Sequence, residues 1–249
     1  MNRLQDKRTL ITGGTTGIGL ETARQFLAEG ARVAVTGQSP QTLAQARELL
    51  GPRALVLSSD AGDVSQQAVL ARTIEESFGG LDAVFINAGV GDFRPIEAFE
   101  AVAFDRTFAI NLKGPYFLIQ ALLPILANPS SVVLNTSINA HIGMPMSSVY
   151  AASKAGLISL ARTLSGELIG RGVRFNAISP GPVTTPIYGK LGLPAEQLQG
   201  MAARIQSQVP LGRFGDPVEI AKAVVFFASD ESSFVVGSEL VVDGGMSTV

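Results

Sequence analysis

The stretch TLITGGTTGIGLETARQFLAEG, residues 9–30, joins an apolar run to a glycine-rich turn and then to an amphipathic helical pattern. Thr12, Gly13, Gly17 and Gly19 fall at the turn, with the spacing Gly-x-x-x-Gly-x-Gly. Glycine there lets the backbone approach a pyrophosphate, and a helix start supplies unpaired N–H donors and a favourable dipole. Strand, turn and helix in that order predict the first unit of a dinucleotide-binding sheet. The alternative is an ordinary tight turn, and the rest of the chain decides between them.

Working outward, short β-rich runs alternate with helical patterns to the end of the chain. The pattern predicts strands near Arg8–Thr12, Arg32–Thr36, Ala54–Leu57, Ala83–Ile86, Ser131–Asn135, Arg174–Ile178 and Glu239–Val242. Most are nearly all apolar, as strands covered on both faces are. Helical patterns lie around 19–29, 41–50, 66–78, 101–126, 148–169 and 217–228. This alternation predicts an α/β fold, a doubly wound parallel sheet of about seven strands with helices on both faces. Chemistry is then expected just after the strands, at their carboxyl ends.

Composition narrows the classes. The 249 residues read as a single domain, with no repeat, low-complexity tract or linker. There is no cysteine, hence no disulfide framework, thiol nucleophile or cysteine metal site, and no metal site is expected. The absence of cysteine and of a signal-length apolar run at the start leads us to expect a soluble, cytoplasmic protein. Nineteen basic and 21 acidic residues, without a block of one sign, give a net charge of −2 and make nucleic-acid binding unexpected. Apolar runs such as AVVFFA are too short to span a bilayer, so no membrane partner is expected.

Each strand end offers candidates. The second runs into VAVTGQS, where Thr36, Gly37, Gln38 and Ser39 are uncharged. An acid here would take the ribose hydroxyls and repel a 2′-phosphate, so its lack favours NADP(H). No Arg or Lys holds the phosphate either, which keeps NAD(H) as the alternative. After the third strand, Asp60 stands at the height of an adenine amine, while Asp63 is placed to cap the helix starting at Ser65; the assignment between them stays open. After the fourth, Asn87, Gly89 and Gly91 suit close backbone contact with a cofactor. In SSVYAASKAG, Tyr150 and Lys154 are four residues apart and leave one helix face together. A cation beside a tyrosine favours the phenolate, making the hydroxyl a usable proton donor or acceptor nearer neutrality.

Ser137 in SVVLNTSINA completes a set that resembles the short-chain dehydrogenase/reductase family over essentially the whole chain. The matching pieces are TGGTTGIG, NAG at 87–89, Asn111 in AINLKGPYF, Ser137, YAASK, NAISPGPVTTP and VVDGG. Ile86 departs from a second Asn often found before NAG, and Thr15, Thr16 and Gln38 stand where NADP-dependent relatives often carry a basic residue. The resemblance implies a carbonyl/alcohol oxidoreductase with Tyr150 as general acid or base, and Lys154 lowering its pKa and binding the nicotinamide ribose. Ser137 would hold the substrate oxygen. Asn111, in a local helix break, would anchor a water that relays protons from Lys154. Cofactor contacts are implied for Thr12, Gly13, Thr15, Thr16, Gly17, Ile18, Gly19, Gly37, Gln38, Ser39, Asp60, Ala61, Asn87, Ala88, Gly89, Pro180, Gly181, Val183 and Thr184.

The Gly- and Pro-rich segment, about 182–216, reads as a substrate lid in which Ile187, Tyr188, Leu191 and Leu193 are candidates to cover an apolar part of a small-molecule carbonyl or alcohol. His141, the only histidine, reads as a solvated loop residue, with the pocket mouth as the alternative. A methyltransferase would not account for Ser137, Tyr150 and Lys154 together. A non-catalytic dinucleotide-binding regulator would be signalled by loss of Tyr150 or Lys154, and an extended epimerase would need a longer substrate domain. The helices at 101–126 and 148–169 carry apolar residues, among them Leu157, Ile158, Leu160, Leu164 and Leu168, around more circumference than one sheet contact covers. Family members commonly pair through these helices and the last helix and strand, so a homotetramer is expected, with a dimer next.

Overall fold

The computed structural model describes residues 2–186 and 195–249. Its strands are β1 (Arg8–Ile11), β2 (Arg32–Gly37), β3 (Ala54–Ser58), β4 (Leu81–Ile86), β5 (Leu126–Asn135), β6 (Val173–Pro180) and β7 (Glu239–Val242). They form one parallel sheet in the order β3-β2-β1-β4-β5-β6-β7. Alternation along each strand divides the core. Ile11, Val33, Val35, Phe85, Val133 and Ile178 face one layer, whereas Leu10, Ala34, Val84, Ile86, Leu134 and Phe175 face the other. Burying a side chain of this size stabilises by about 1.5–3 kcal/mol, so both faces must be covered by helices.

The first layer is covered by α1 (Gly17–Ala28), α2 (Pro40–Leu50) and α8 (Pro217–Ala228). The second is covered by α3 (Val64–Phe78), α5 (Gly114–Leu122) and α6 (Ser148–Leu168), with α4 (Ala101–Phe108) leading into the stretch before α5. Outside both, α7 (Ala195–Ser207) lies within the expected lid. The sheet order reverses beside β1, where the connection after β3 crosses to β4. That crevice is where an open α/β sheet offers a ligand site.

Two expectations need correction. The single helix expected over 101–126 is broken: α4 passes into a π turn at Ala109–Lys113, then α5, then a 3-10 turn at Leu123–Ile125, and Leu126 already belongs to β5. The apolar spacing continues through the break, which is why periodicity alone does not reveal it. By length and composition Ala101–Ile125 is the one described helical stretch apolar enough to cross a membrane, yet Leu118, Ile119 and Leu122 are buried against the sheet. The apolar excess assigned to assembly is also largely internal, since Leu157, Ile158, Leu164 and Leu168 are buried within the subunit and Leu160 packs partly against the same layer. The exposed apolar side chains on these helices are instead Val102, Phe104 and Tyr116, and another group, Phe234, Val236 and Leu240, lies at or just before β7.

A buried cation ties the last helix to the sheet. Arg174 of β6 donates to Val235 O at 3.1 Å and to Ser232 Oγ at 3.2 Å, with longer bonds to Phe227 O and Ser229 O at the end of α8. Burial pushes its guanidinium pKa down, and the carbonyls at a helix C-terminus are the partners that best offset this. The hydrogen bonds hold the approach to edge strand β7 in place.

Candidate active site

Three central strand ends are tied by polar side chains. Thr12 Oγ1 accepts from the amides of Asn87 (2.9 Å) and Ala88 (3.0 Å). In return Asn87 Nδ2 donates to Thr12 O (3.0 Å) and Gly13 O (3.1 Å), and Asn135 Nδ2 donates to Asn87 Oδ1 at 2.9 Å. The side chains of Thr12 and Asn87 therefore bind the protein itself. Gly13 has φ +62°, and a Cβ on it would stand 2.9 Å from Ala88 Cα, so this turn admits only glycine without displacement. Asn135 is a site residue that the sequence reading missed. Its position at the end of a strand beside the Ser137 segment was the available signal.

The π turn puts the buried Asn111 where a regular helix would not. Its Oδ1 accepts from Val90 N and its Nδ2 donates to Val90 O, both at 2.9 Å, while a further bond reaches Ser153 Oγ at 3.0 Å. Ser153 Oγ donates to Tyr150 O at 2.7 Å. The side chain of Asn111 thus couples the turn after β4 to the helix that carries Tyr150 and Lys154. Gly89 lies between them: a Cβ there would be 3.3 Å from both Asn111 Oδ1 and Lys154 Nζ.

Tyr150, Ser137 and Lys154 come together. Lys154 Nζ lies 5.8 Å from the Tyr150 ring centroid and donates to Asn135 O at 2.7 Å. The other side of the tyrosine is packed by Phe93, a further contact missed from sequence, with ring centroids 5.4 Å apart. The expected lowering of the Tyr150 pKa is not found. Burial pushes the phenol up, and a hydrogen bond with Ser137 offsets only part of that rise. The shift falls on the lysine instead, whose ammonium is brought down to about 8 by burial. Beyond Phe93 a cavity of about 530 Å³ runs between the turn after β4 and α4, lined by Asp92, Arg94, Glu100 and Arg106 among others.

The remaining predicted contacts trace the strand ends in order. Thr16 is the N-cap position of α1, Thr15 is buried under Gly37 and bonded by Thr42 Oγ1 at 3.1 Å, and Ser39 precedes α2. Gln38 Nε2 donates to Asp60 Oδ2 at 2.7 Å, and Gly62 N to Asp60 Oδ1 at 2.8 Å. Asp63 caps α3 by accepting from Ser65 N, which settles the capping question in its favour. Gly181, after β6, bonds Val242 O, Val183 is buried, and Thr184 is exposed with its amide on Gly215 O. Ile187, Tyr188, Leu191 and Leu193 lie outside the described residues. His141 is not simply solvated, because its Nε2 meets Glu239 Oε1 at 2.5 Å. Among the described residues no group of His, Asp and Glu is arranged to hold a metal.

The crevice fits a dinucleotide: Gly13 and Gly17 adopt positive φ at the mouth of α1, and Gly89 leaves backbone open beside Lys154. Residues 13–247 match the family described as enoyl-(acyl carrier protein) reductase. An oxidoreductase of Sarocladium schorii is 37% identical over 251 residues, spanning 100% of this chain and 99% of its own. The 2-(S)-hydroxypropyl-CoM dehydrogenase 3 of Xanthobacter autotrophicus is 34% identical, spanning 100% of this chain and 99% of its own. Among solved structures, a short-chain dehydrogenase/reductase of Brucella melitensis described as glucose/ribitol dehydrogenase superposes with a TM-score of 0.92 at 31% identity, over the full length of both chains.

The depressed lysine leads to a stability test. Holding the Lys154 ammonium in a buried site costs about 3 kcal/mol near pH 7, against about 2 kcal/mol returned by its charge-assisted bond to Asn135 O. Lys154→Met is expected to raise unfolding free energy at pH 7 by about 1 kcal/mol. The unfolded lysine binds its proton more tightly than the folded one, so wild-type stability rises with pH from about 8 to the ordinary lysine value of 10.5. The gain in the variant should shrink over that window. Urea unfolding of both proteins at pH 7 and pH 10 checks this, and a variant less stable at pH 7 contradicts it.

Proposed function

The chain belongs to the short-chain dehydrogenase/reductase family, whose members here are oxidoreductases of the carbonyl/alcohol class, and we propose that it interconverts a ketone or aldehyde and an alcohol with Tyr150 as the proton-transferring group. The observation that carries this reading is the convergence of the Ser137 and Tyr150 hydroxyls beside a buried lysine. Two hydroxyls directed at one oxygen suit a polarised C=O better than the C=C that the family description names. When bound, the nicotinamide supplies or takes the hydride. In reduction Tyr150 gives its proton to the substrate oxygen while Ser137 holds that oxygen, and in oxidation both roles reverse. Lys154 directs one proton to Asn135 O and can place the others on the ribose hydroxyls.

Gly13, Gly17, Ile18 and Gly19 would cradle the pyrophosphate with backbone, and Ala61, Ala88, Pro180 and Gly181 would line the adenine and nicotinamide ends. Between the NADP(H) favoured by the sequence and the NAD(H) it kept as the alternative, we propose NAD(H). Asp60 brings a carboxylate within hydrogen-bond reach of Gln38, and among the described residues no hydrogen bond or ion pair joins a basic side chain to these two. A 2′-phosphate entering there would stand beside an anion, which disfavours its charge.

Assembly as a homotetramer is supported by two separate apolar surfaces, Val102, Phe104 and Tyr116 on α4 and α5, and Phe234, Val236 and Leu240 at the β7 edge. Phe234 is fully exposed and β7 ends the sheet, a position that is usually covered. Two isologous contacts generate a tetramer with two-fold axes.

Three measurements test these readings. Tyr150→Phe should retain coenzyme affinity within about threefold and lose at least about a hundredfold in kcat, because only the transferring oxygen is removed. Steady-state assays with a ketone and alcohol panel decide, and near-full activity overturns the assignment. Calorimetric titration should show NADH binding more tightly than NADPH, with Gln38→Arg shifting preference toward NADPH; tighter NADPH binding by the unmodified protein refutes the coenzyme proposal. Light scattering should give a tetramer that Phe234→Asp reduces to a dimer, and a monomer at micromolar concentration rules assembly out.

A further inference from the structure

His141 and Glu239 are 98 residues apart in sequence and neither is absorbed by the proposed chemistry. Their contact joins segments that are. Ser137 begins a single 3-10 turn, Ile138–Ala140, in which Ala140 N bonds Ser137 O (3.0 Å) and Asn139 N bonds Ser137 Oγ (3.2 Å). His141 ends that turn, with its amide on Ile138 O at 2.8 Å, and its ring reaches Glu239 Oε1 at 2.5 Å.

The same carboxylate oxygen accepts from Ser179 Oγ at 2.5 Å, and Ser179 Oγ lies 2.5 Å from Thr136 Oγ1. Thr136 is also held by Ile178 O, through its amide at 2.8 Å and its hydroxyl at 2.7 Å. Thr136 immediately precedes Ser137, and Ser179 immediately precedes Pro180 and Gly181. Glu239 therefore joins three pieces: the turn that carries the substrate-holding serine, the end of β5, and the end of β6 where the nicotinamide turn begins. Its side chain is only 10% exposed, and a polar group so placed costs free energy unless it is hydrogen-bonded. Arg162, 3.9 Å from Oε2 and 64% exposed, is a screened neighbour and contributes little.

We propose that His141 and Glu239 are positioning residues. Their contact fixes the Ser137 turn against edge strand β7, and the bond to Ser179 places the Pro180–Gly181 turn in the same frame. This rests on the assignment of Ser137 and Tyr150 made above. Hydride transfer needs the reacting atoms held about 3–3.5 Å apart, and a shift of about 1 Å can cost up to about a hundredfold in rate. Ser137 fixes the substrate side of that distance and the β6 end fixes the coenzyme side. Glu239 is the group that both sides share.

The test uses His141→Ala and His141→Gln in the full chain. The side chain of His141 is 40% exposed, so neither substitution disturbs the core. In His141→Ala, kcat should fall about tenfold, coenzyme KM should change less than about twofold, and the deuterium isotope effect on kcat with the transferred position labelled should rise. His141→Gln, whose amide can donate to Glu239, should recover kcat to within about threefold of wild type. Independently of turnover, hydrogen exchange at the amides of Ala140, His141 and Ile142 should be faster in His141→Ala protein without coenzyme. Unchanged exchange overturns the tether. Faster exchange with kcat and isotope effect unchanged overturns the positioning role. Turnover that survives Tyr150→Phe removes the catalytic assignment and, with it, this proposal, whereas loss of turnover in Tyr150→Phe leaves the His141 variants to decide.

Discussion

Everything at the site hangs on the hydrogen bonds that Asn87 makes between β1 and β5. A parallel sheet leaves its carboxyl-end backbone groups without ladder partners, and buried polar groups without partners are expensive. Here Asn87 satisfies Thr12 O and Gly13 O with one amide group and accepts from Asn135 with its oxygen, while Thr12 Oγ1 takes the Asn87 and Ala88 amides. The glycine turn cannot move relative to β5 without breaking several of these bonds at once. Lys154 then attaches to the far end through Asn135 O. The position of the ammonium is in this way referred to the position of the glycine turn after β1, although the two are far apart in the sequence.

What was legible in the sequence follows the range of the physics. Local periodicity located all seven strands, because a strand covered on both faces is apolar throughout and most of the seven runs are, although β5 starts at Leu126, five residues before the expected strand. Asp63 and the glycine turn were readable because caps and positive φ leave signatures within a few residues. The π turn was hidden from periodicity, since adding one residue to a helical turn does not interrupt an apolar pattern, and only the family resemblance implied the break found at Asn111. The contacts of His141 with Glu239 and of Phe93 with Tyr150 were hidden for a different reason: each joins elements whose register is set only by the finished sheet. The same holds for Leu157, Ile158, Leu164 and Leu168, where composition shows apolarity but not which surface covers it.

The pKa shifts show most clearly why proximity in sequence is a poor guide to electrostatics. Four residues on one helix face suggest that the lysine charge acts on the phenol, and the sign of that effect is correct in water. Inside the protein both groups lose solvent, and desolvation disfavours whichever form is charged, so the phenol rises and the ammonium falls. The order of titration is thereby inverted relative to the free side chains. Near pH 7 both groups still hold their protons, which makes the pair a donor in the direction of reduction. Above about 8 the lysine releases its proton before the phenol does. The bond to Asn135 O favours the ammonium, since a charged donor makes the stronger hydrogen bond, and it opposes part of the fall that burial causes. Burial therefore opposes what a direct charge contact was expected to do to the phenol, and the group it brings nearer to neutrality is the lysine rather than the tyrosine.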